Sequence, residues 1–202
     1  MAGKVKVIPK QTQTSCPVDC RQQPDELMRL IQLAARLDPQ RILEIGSLYG
    51  GTLWHWMQFF RGSLIVSVDM IAERIPEHRH KDIVKARSLW QSWANGSDCK
   101  LKIYTGPSQH PMLIEKAQED APYDFIFVDG GHEYYQVNSD YENYFPMLRK
   151  GGMIAFHDIA YPARGGPIEV GAWWIDFKAR GGYRIEEIVD HENEWGIGVV
   201  WK

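Results

Sequence analysis

Short apolar runs and helical stretches alternate between residues 41 and 180, and this alternation constrains the fold more than any other feature of the chain. The apolar runs lie at 41–45, 63–68, 100–104, 124–128 and 153–156. Each is too short for a buried helix and long enough for a buried strand. Helices are read at 52–60, 82–93, 107–119, 133–148 and 167–180, and the turn between the last two units at Gly151-Gly152. An earlier helix is read over 25–37. It opens on Pro24-Asp25, carries Leu27, Leu30, Ile31, Ala34 and Leu37 at helical spacing, and is stopped by Pro39. Runs at 183–189 and 195–201 read as a closing hairpin. Strands that alternate with helices pair in parallel and are covered on both faces. The expected architecture is therefore α/β: a Rossmann-like doubly wound, mostly parallel seven-stranded sheet with a C-terminal antiparallel hairpin. Residues 1–23, with Pro9 and Pro17 and no helical period, are read as an N-terminal arm, and 24–202 as a single domain.

Composition narrows the partners. The 202 residues carry 23 Lys and Arg against 26 Asp and Glu, a net charge of −3, with a pI near 6.2. That lacks the basic excess of a protein that lives on phosphate backbones, so nucleic acid is not expected. No apolar run approaches the roughly 18 residues of a membrane span, and MAGKVKVIPK has no apolar core of a signal peptide. The expected location is cytoplasmic. Cys16, Cys20 and Cys99 are read as reduced thiols, and the first two, with no second pair, do not form a zinc motif. Eight tryptophans exceed what a core of this size requires. Trp54 and Trp56 point to different helix faces, which makes a homodimer one expectation. Trp173-Trp174, near Tyr161 and Arg164, either stacks on a flat ligand or packs a helix onto the sheet.

In parallel sheets the ligand lies beyond the carboxyl ends of the strands, so those ends are read as a set. They are Glu44-Ile-Gly46, Asp69, the turn at Gly106 to Gln109, Asp129 with His132, and His157-Asp158. Glycines after the first strand let a ligand approach the backbone, but G-x-x-x-G-G is not the G-x-G-x-x-G that a pyrophosphate favours. Asp69, 23 residues beyond Gly46, suits a ribose diol. Asp129 and Asp158 are hard-oxygen donors for a divalent cation, or caps of the helices that follow them. His132 is a general base of near-neutral pKa, or a satisfied loop histidine. His78, His80 and His110 carry no spacing that points to a site.

Taken in order, Glu44-Ile-Gly46 to Gly50, Asp69, and Gly106-Pro-Ser108-Gln109 resemble class I S-adenosylmethionine-dependent methyltransferases of the catechol O-methyltransferase type. The runs 124–132 and 148–158 resemble the small metal-assisted O-methyltransferases of sugars and natural products, including cephalosporin-biosynthesis methyltransferase-like proteins. The likeness spans about residues 40–160. It implies S-adenosylmethionine as cofactor, met by Glu44, Gly46, Ser47, Tyr49, Gly50, Gly51, Asp69, Met70, Ser108, Gln109 and Asp129. It also implies a divalent cation, Mg or Mn, on Asp129, His157 and Asp158, with His132 and Asp129 as catalytic residues. The acceptor would be a small-molecule hydroxyl, on a sugar or a phenolic natural product. His157 departs from the pattern, since the related pairs are Asp-Asn or two acids, and imidazole suits manganese, iron or zinc better than magnesium. The rival readings are a nicotinamide-dependent oxidoreductase, which lacks its G-x-G-x-x-G and Tyr-x-x-x-Lys, and a nucleoside-binding scaffold without chemistry.

Overall fold

The structure is a computed structural model that describes residues 16–70, 77–160, 168–190 and 195–202. Its sheet is built from β1 (Arg41–Ile45), β2 (Leu64–Asp69), β3 (Lys100–Thr105), β4 (Tyr123–Val128), β5 (Leu148–His157), β6 (Arg184–Ile188) and β7 (Ile197–Trp201). The helices are α1 (Pro24–Ala35), α2 (Gly51–Phe59), α3 (His80–Gly96), α4 (Pro111–Glu119), α5 (Tyr134–Tyr144) and α6 (Val170–Arg180). The seven strands lie in the order β3-β2-β1-β4-β5-β7-β6. β1 to β5 pair in parallel, while β7 inserts between β5 and β6 and runs antiparallel to both. This is the architecture the alternation implied. The order reverses direction at β1, which makes the carboxyl ends of β1, β2 and β4 the natural place for a ligand.

Side-chain alternation along the strands divides the core in two. Leu43, Ile45, Ile126, Val128, Ile154 and Phe156 face α4, α5 and α6. Ile42, Phe125, Phe127, Met153 and Ala155 face α1, α2 and α3. Glu44, two residues from Ile42, therefore points into the second layer. There its carboxylate accepts a hydrogen bond from Nε1 of Trp56.

Several boundaries differ from the sequence reading. The helix read to residue 148 ends at Tyr144, because Pro146 cannot donate to the helix ladder, and a 3-10 turn follows. The fifth strand begins at Leu148 rather than at 153. Gly151-Gly152 lies within that strand, where the register with β4 shifts between Tyr123 and Phe125, and Gly151 absorbs the irregularity at φ 76°. The first helix ends at Ala35, two residues early, and α3 is longer at both ends than the reading of 82–93. α6 starts at Val170, and the part of its reading at residue 167 lies outside the described residues, as do Tyr161 and Arg164.

The tryptophans are absorbed by the core. Trp56, Trp90, Trp173 and Trp174 are fully buried, and none of the eight is exposed. Trp173 and Trp174 pack α6 onto Phe156 of β5, with Phe177 of the same helix stacked beside them, so the stacking alternative for that pair does not hold. Cys16, Cys20 and Cys99 are free thiols.

Candidate active site

The first glycine loop is shaped by close contacts. Gly46 takes φ 86°, and a Cβ there would overlap the carbonyl of Asp129, so only glycine lets the β1 and β4 ends meet. Gly51, at the start of α2, lies against the backbone of Asp19 and Cys20, and a side chain would push that arm away. Leu48 sits at φ 48°, its N–H donating to Asp69 Oδ2 at 2.9 Å. Asp69 also pairs with Arg87 of α3, whose guanidinium donates to the Met70 carbonyl at 3.0 Å. Burial raises the pKa of Asp69, and Arg87 and the loop amides oppose that rise.

These ends enclose a cavity of about 620 Å³ that runs from the glycine loop past Asp69 and the 106–109 turn to Asp129 and Asp158. That volume suits a nucleoside-sized ligand with room for a second molecule. Gly46, Ser47, Tyr49, Gly51, Asp69, Met70, Ser108, Gln109, Asp129, His132, His157 and Asp158 are in its wall. Glu44 and Gly50 stand behind it: Glu44 is 0% exposed, and Gly50 caps α2 at φ 85° against the Trp90 ring. Burial raises Glu44 to about 8, against the hydrogen bonds from Ser47 and Trp56.

At the far end, two carboxylates and two imidazoles converge. His132 Nε2 lies 3.1 Å from Asp158 Oδ2 and 4.0 Å from Asp129 Oδ1. His157 Nδ1 lies 3.2 Å from Asp158 Oδ1 and 3.4 Å from Asp129 Oδ1, without hydrogen-bond geometry to either. The side chain of His132 is 41% exposed, whereas that of His157 is 4% exposed and lies beneath the acids. The carboxylates raise both histidines above the ordinary imidazole range against the opposing effect of burial, and the two histidines hold Asp158 far below the ordinary carboxylate range. Neither acid caps a helix among the described residues. α5 is capped by Glu133, in a reciprocal box with Gln136, and α6 has Glu169 at its N-cap. The acids therefore have no capping duty to explain them.

Ligand atoms of Asp129, His132 and Asp158 all fall within 4.8 Å of one another, a spacing that fits a small cation. Two carboxylates with an imidazole are a mixed oxygen and nitrogen set.

The sequence did not reveal several neighbours. Gln22, from the arm, donates Nε2 to Asp129 Oδ2 at 2.7 Å, and Asp19 and Arg21 also line the cavity. Trp195 meets His157 edge-on at 5.5 Å. Asp140 of α5 takes the Ser108 and Gln109 side chains. None lies at a strand end, the one signal that sorted the others. His110, given no role, accepts from Met112 N as the N-cap of α4.

Residues 43–159 match the family described as Methyltransferase domain, which is more than half of the chain.

The chain belongs to that methyltransferase family.

Its matched segment contains the glycine loop, Asp69, the 106–109 turn and both acids, so the strand-end residues of the cavity all fall within that methyltransferase domain. The chain is 26% identical over 147 residues to the demethylmacrocin O-methyltransferase of Streptomyces fradiae, 67% of this chain and 32% of that protein. It is also 26% identical over 185 residues to an uncharacterized protein of Sinorhizobium fredii, 84% of this chain and 18% of that one. The chain thus spans a third or less of the length of these curated relatives. Its fold is that of the O-methyltransferase from Bacillus cereus in complex with SAH (S-adenosylhomocysteine), at 20% identity and a TM-score of 0.66, covering 94% of this chain and 86% of that one.

Proposed function

We propose that the protein transfers the methyl group of S-adenosylmethionine to a hydroxyl of a small molecule, a sugar or a phenolic natural product, with a divalent cation at the acceptor. The observation that carries this reading is the single cavity joining the glycine loop and Asp69 at one end to Asp129, His132, His157 and Asp158 at the other. Backbone amides at 46–51 suit the methionine carboxylate, Asp69 the ribose diol, and the 106–109 turn the adenine. Glu44 supports the loop from behind, its neutral carboxyl fitting an apolar layer.

Methyl transfer is an in-line displacement at a sulfonium, so the protein has chiefly to align the two reactants and ready the acceptor oxygen. Asp129 and Asp158 would hold the cation, with the His157 Nδ1 as third donor; its separations of 3.4 and 3.2 Å from their oxygens are close to the roughly 3 Å between neighbouring ligands of a small cation. When bound, the cation would polarise the acceptor hydroxyl and lower its pKa. Exposure divides the imidazoles: buried His157 cannot meet an acceptor, while His132 lines the cavity and would take the acceptor proton on its other ring nitrogen, its Nε2 being turned to Asp158. Asp158 Oδ2, 3.1 Å away, would stabilise the imidazolium that results.

A thermal-shift titration tests the cofactor. S-adenosylhomocysteine at 100 times its dissociation constant should stabilise the protein by about 2.7 kcal/mol, a rise of roughly 5–10 °C in Tm for a domain of this size. NAD should give none, and the reverse pattern would replace methyl transfer with the oxidoreductase reading. Radiolabelled methyl transfer to catechol and to a methyl glycoside, with Mn²⁺ or with EDTA, then tests acceptor and cation. Transfer unaffected by EDTA would remove the cation from the proposal.

A further inference from the structure

We propose that Asp140 is a positioning residue that fixes the polarity of the Gln109 amide and thereby makes the nucleoside end of the cavity select a 6-amino over a 6-oxo purine. The inference rests on the cofactor reading above. Asp140 lies on α5 between Val137, Tyr141 and Tyr144, on the face turned to the core, and is 0% exposed. An acid at such a position is costly to bury, and leucine or alanine would pack there. It is not in the cavity wall. Its Oδ1 accepts two hydrogen bonds, from Ser108 Oγ at 2.7 Å and from Gln109 Nε2 at 2.8 Å, and its Oδ2 has no partner among the described residues. The Gln109 Nε2 also lies 2.8 Å from Ser108 Oγ, and the Tyr144 hydroxyl donates to the Ser108 carbonyl at 2.7 Å. Ser108 and Gln109 are therefore tied to α5, their side chains through one carboxylate oxygen of Asp140 and the Ser108 carbonyl through the Tyr144 hydroxyl.

The consequence follows from the donor and acceptor types. Asp140 Oδ1 accepts only, so the Gln109 amide must present its NH₂ to α5 and its Oε1 the other way. Gln109 lines the cavity, so Oε1 is the atom it can offer to a ligand. An amide oxygen accepts from an exocyclic amino group and repels an exocyclic carbonyl. A glutamine free to rotate would turn its NH₂ toward the carbonyl and accept either base; here that rotation would set Oε1 against the Asp140 oxygen. Unpaired polar groups in a buried site are the means by which a site rejects an analogue that differs by one group.

Isothermal titration of S-adenosylhomocysteine and S-inosylhomocysteine against the wild type and Asp140→Asn tests this. The wild type should bind the adenosyl compound at least tenfold more tightly. Asparagine keeps the volume but can face Gln109 with either its oxygen or its NH₂, so the amide can reverse, and the ratio should fall to within about threefold. A purely structural role for Asp140 would alter both affinities together and leave the ratio in place. A wild-type ratio near one, or an unchanged ratio in Asp140→Asn, overturns the inference. Should that variant not fold, Gln109→Met serves instead, and a ratio that survives loss of the amide overturns it equally. Failure of the wild type to bind S-adenosylhomocysteine at all overturns the cofactor reading and this inference with it.

Discussion

Asp158→Asn is expected to weaken Mn²⁺ binding by about a hundredfold, on the scale that loss of a cation's supporting carboxylate reaches in other sites. The substitution isolates charge from shape. Asp158 sits at φ 66°, in the left-handed region that few side chains other than asparagine share with aspartate. Asparagine therefore keeps the backbone at the end of β5 and removes only the anion. With that anion gone, His132 and His157 lose a shared partner, and one of the two oxygen donors to the cation becomes a neutral amide. Asp69, Gln109 and the glycine loop are untouched, so S-adenosylhomocysteine affinity should stay within about threefold. Free Mn²⁺ measured by electron paramagnetic resonance reads the first quantity and calorimetry the second; neither needs the acceptor. Mn²⁺ affinity that survives the substitution would remove Asp158 from the proposed ligand set. Equal losses of both affinities would instead mean a local collapse of the loop.

Where the sequence was informative and where it was silent have the same physical origin. Strand ends in a parallel sheet must face one edge, so Asp69, Asp129, His132, His157 and Asp158 could be brought together by counting strands, before any geometry was known. What a strand-end rule cannot see is anything that reaches the cavity from elsewhere. Gln22 arrives from the arm, some hundred residues before its partner Asp129, and nothing in the pattern around it distinguishes it from a solvated glutamine. Asp140 has the spacing of a helix core position, where an acid looks like an error until Ser108 and Gln109 are seen on it. Glu44 shows the converse. Its place in the loop motif was legible, but its facing was set by the two-residue period of β1, which sends it away from the cavity and onto Trp56. The strands of the sheet were readable because burial on both faces makes them apolar throughout. The start of β5 was not, because Arg149, Lys150 and two glycines look like a turn, and only the register shift against β4 shows them to be an irregular strand.

That facing of Glu44 carries a stability cost that depends on pH. Its carboxyl ionises at 4.5 in an ordinary setting and at about 8 in the fold, since burial disfavours the anion and Asp129 and Asp69 add repulsion. Between those two values the native protein holds a proton that the unfolded chain has released. Stability should therefore fall as pH rises through this window and be flat, for this group, above about 8, with a total loss on the order of 4–5 kcal/mol at most. Glu44→Gln keeps a carbonyl for Trp56 Nε1 and has no proton to lose. Its amide NH₂ costs whatever a buried donor costs there, but that offset does not vary with pH. Asp140, also raised by burial and not among the charges that act on Glu44, titrates alike in both proteins and cancels in the difference, while the repulsion between Glu44 and Asp69 is part of the Glu44 effect itself. Urea denaturation of the pair at pH 5 and at pH 9 should show the variant gaining on the wild type by several kcal/mol between the two. A difference that stays constant would mean that Glu44 is ionised in the native protein throughout, with a cation or a bound water supplying the charge or donor that its Oε1 lacks among the described residues.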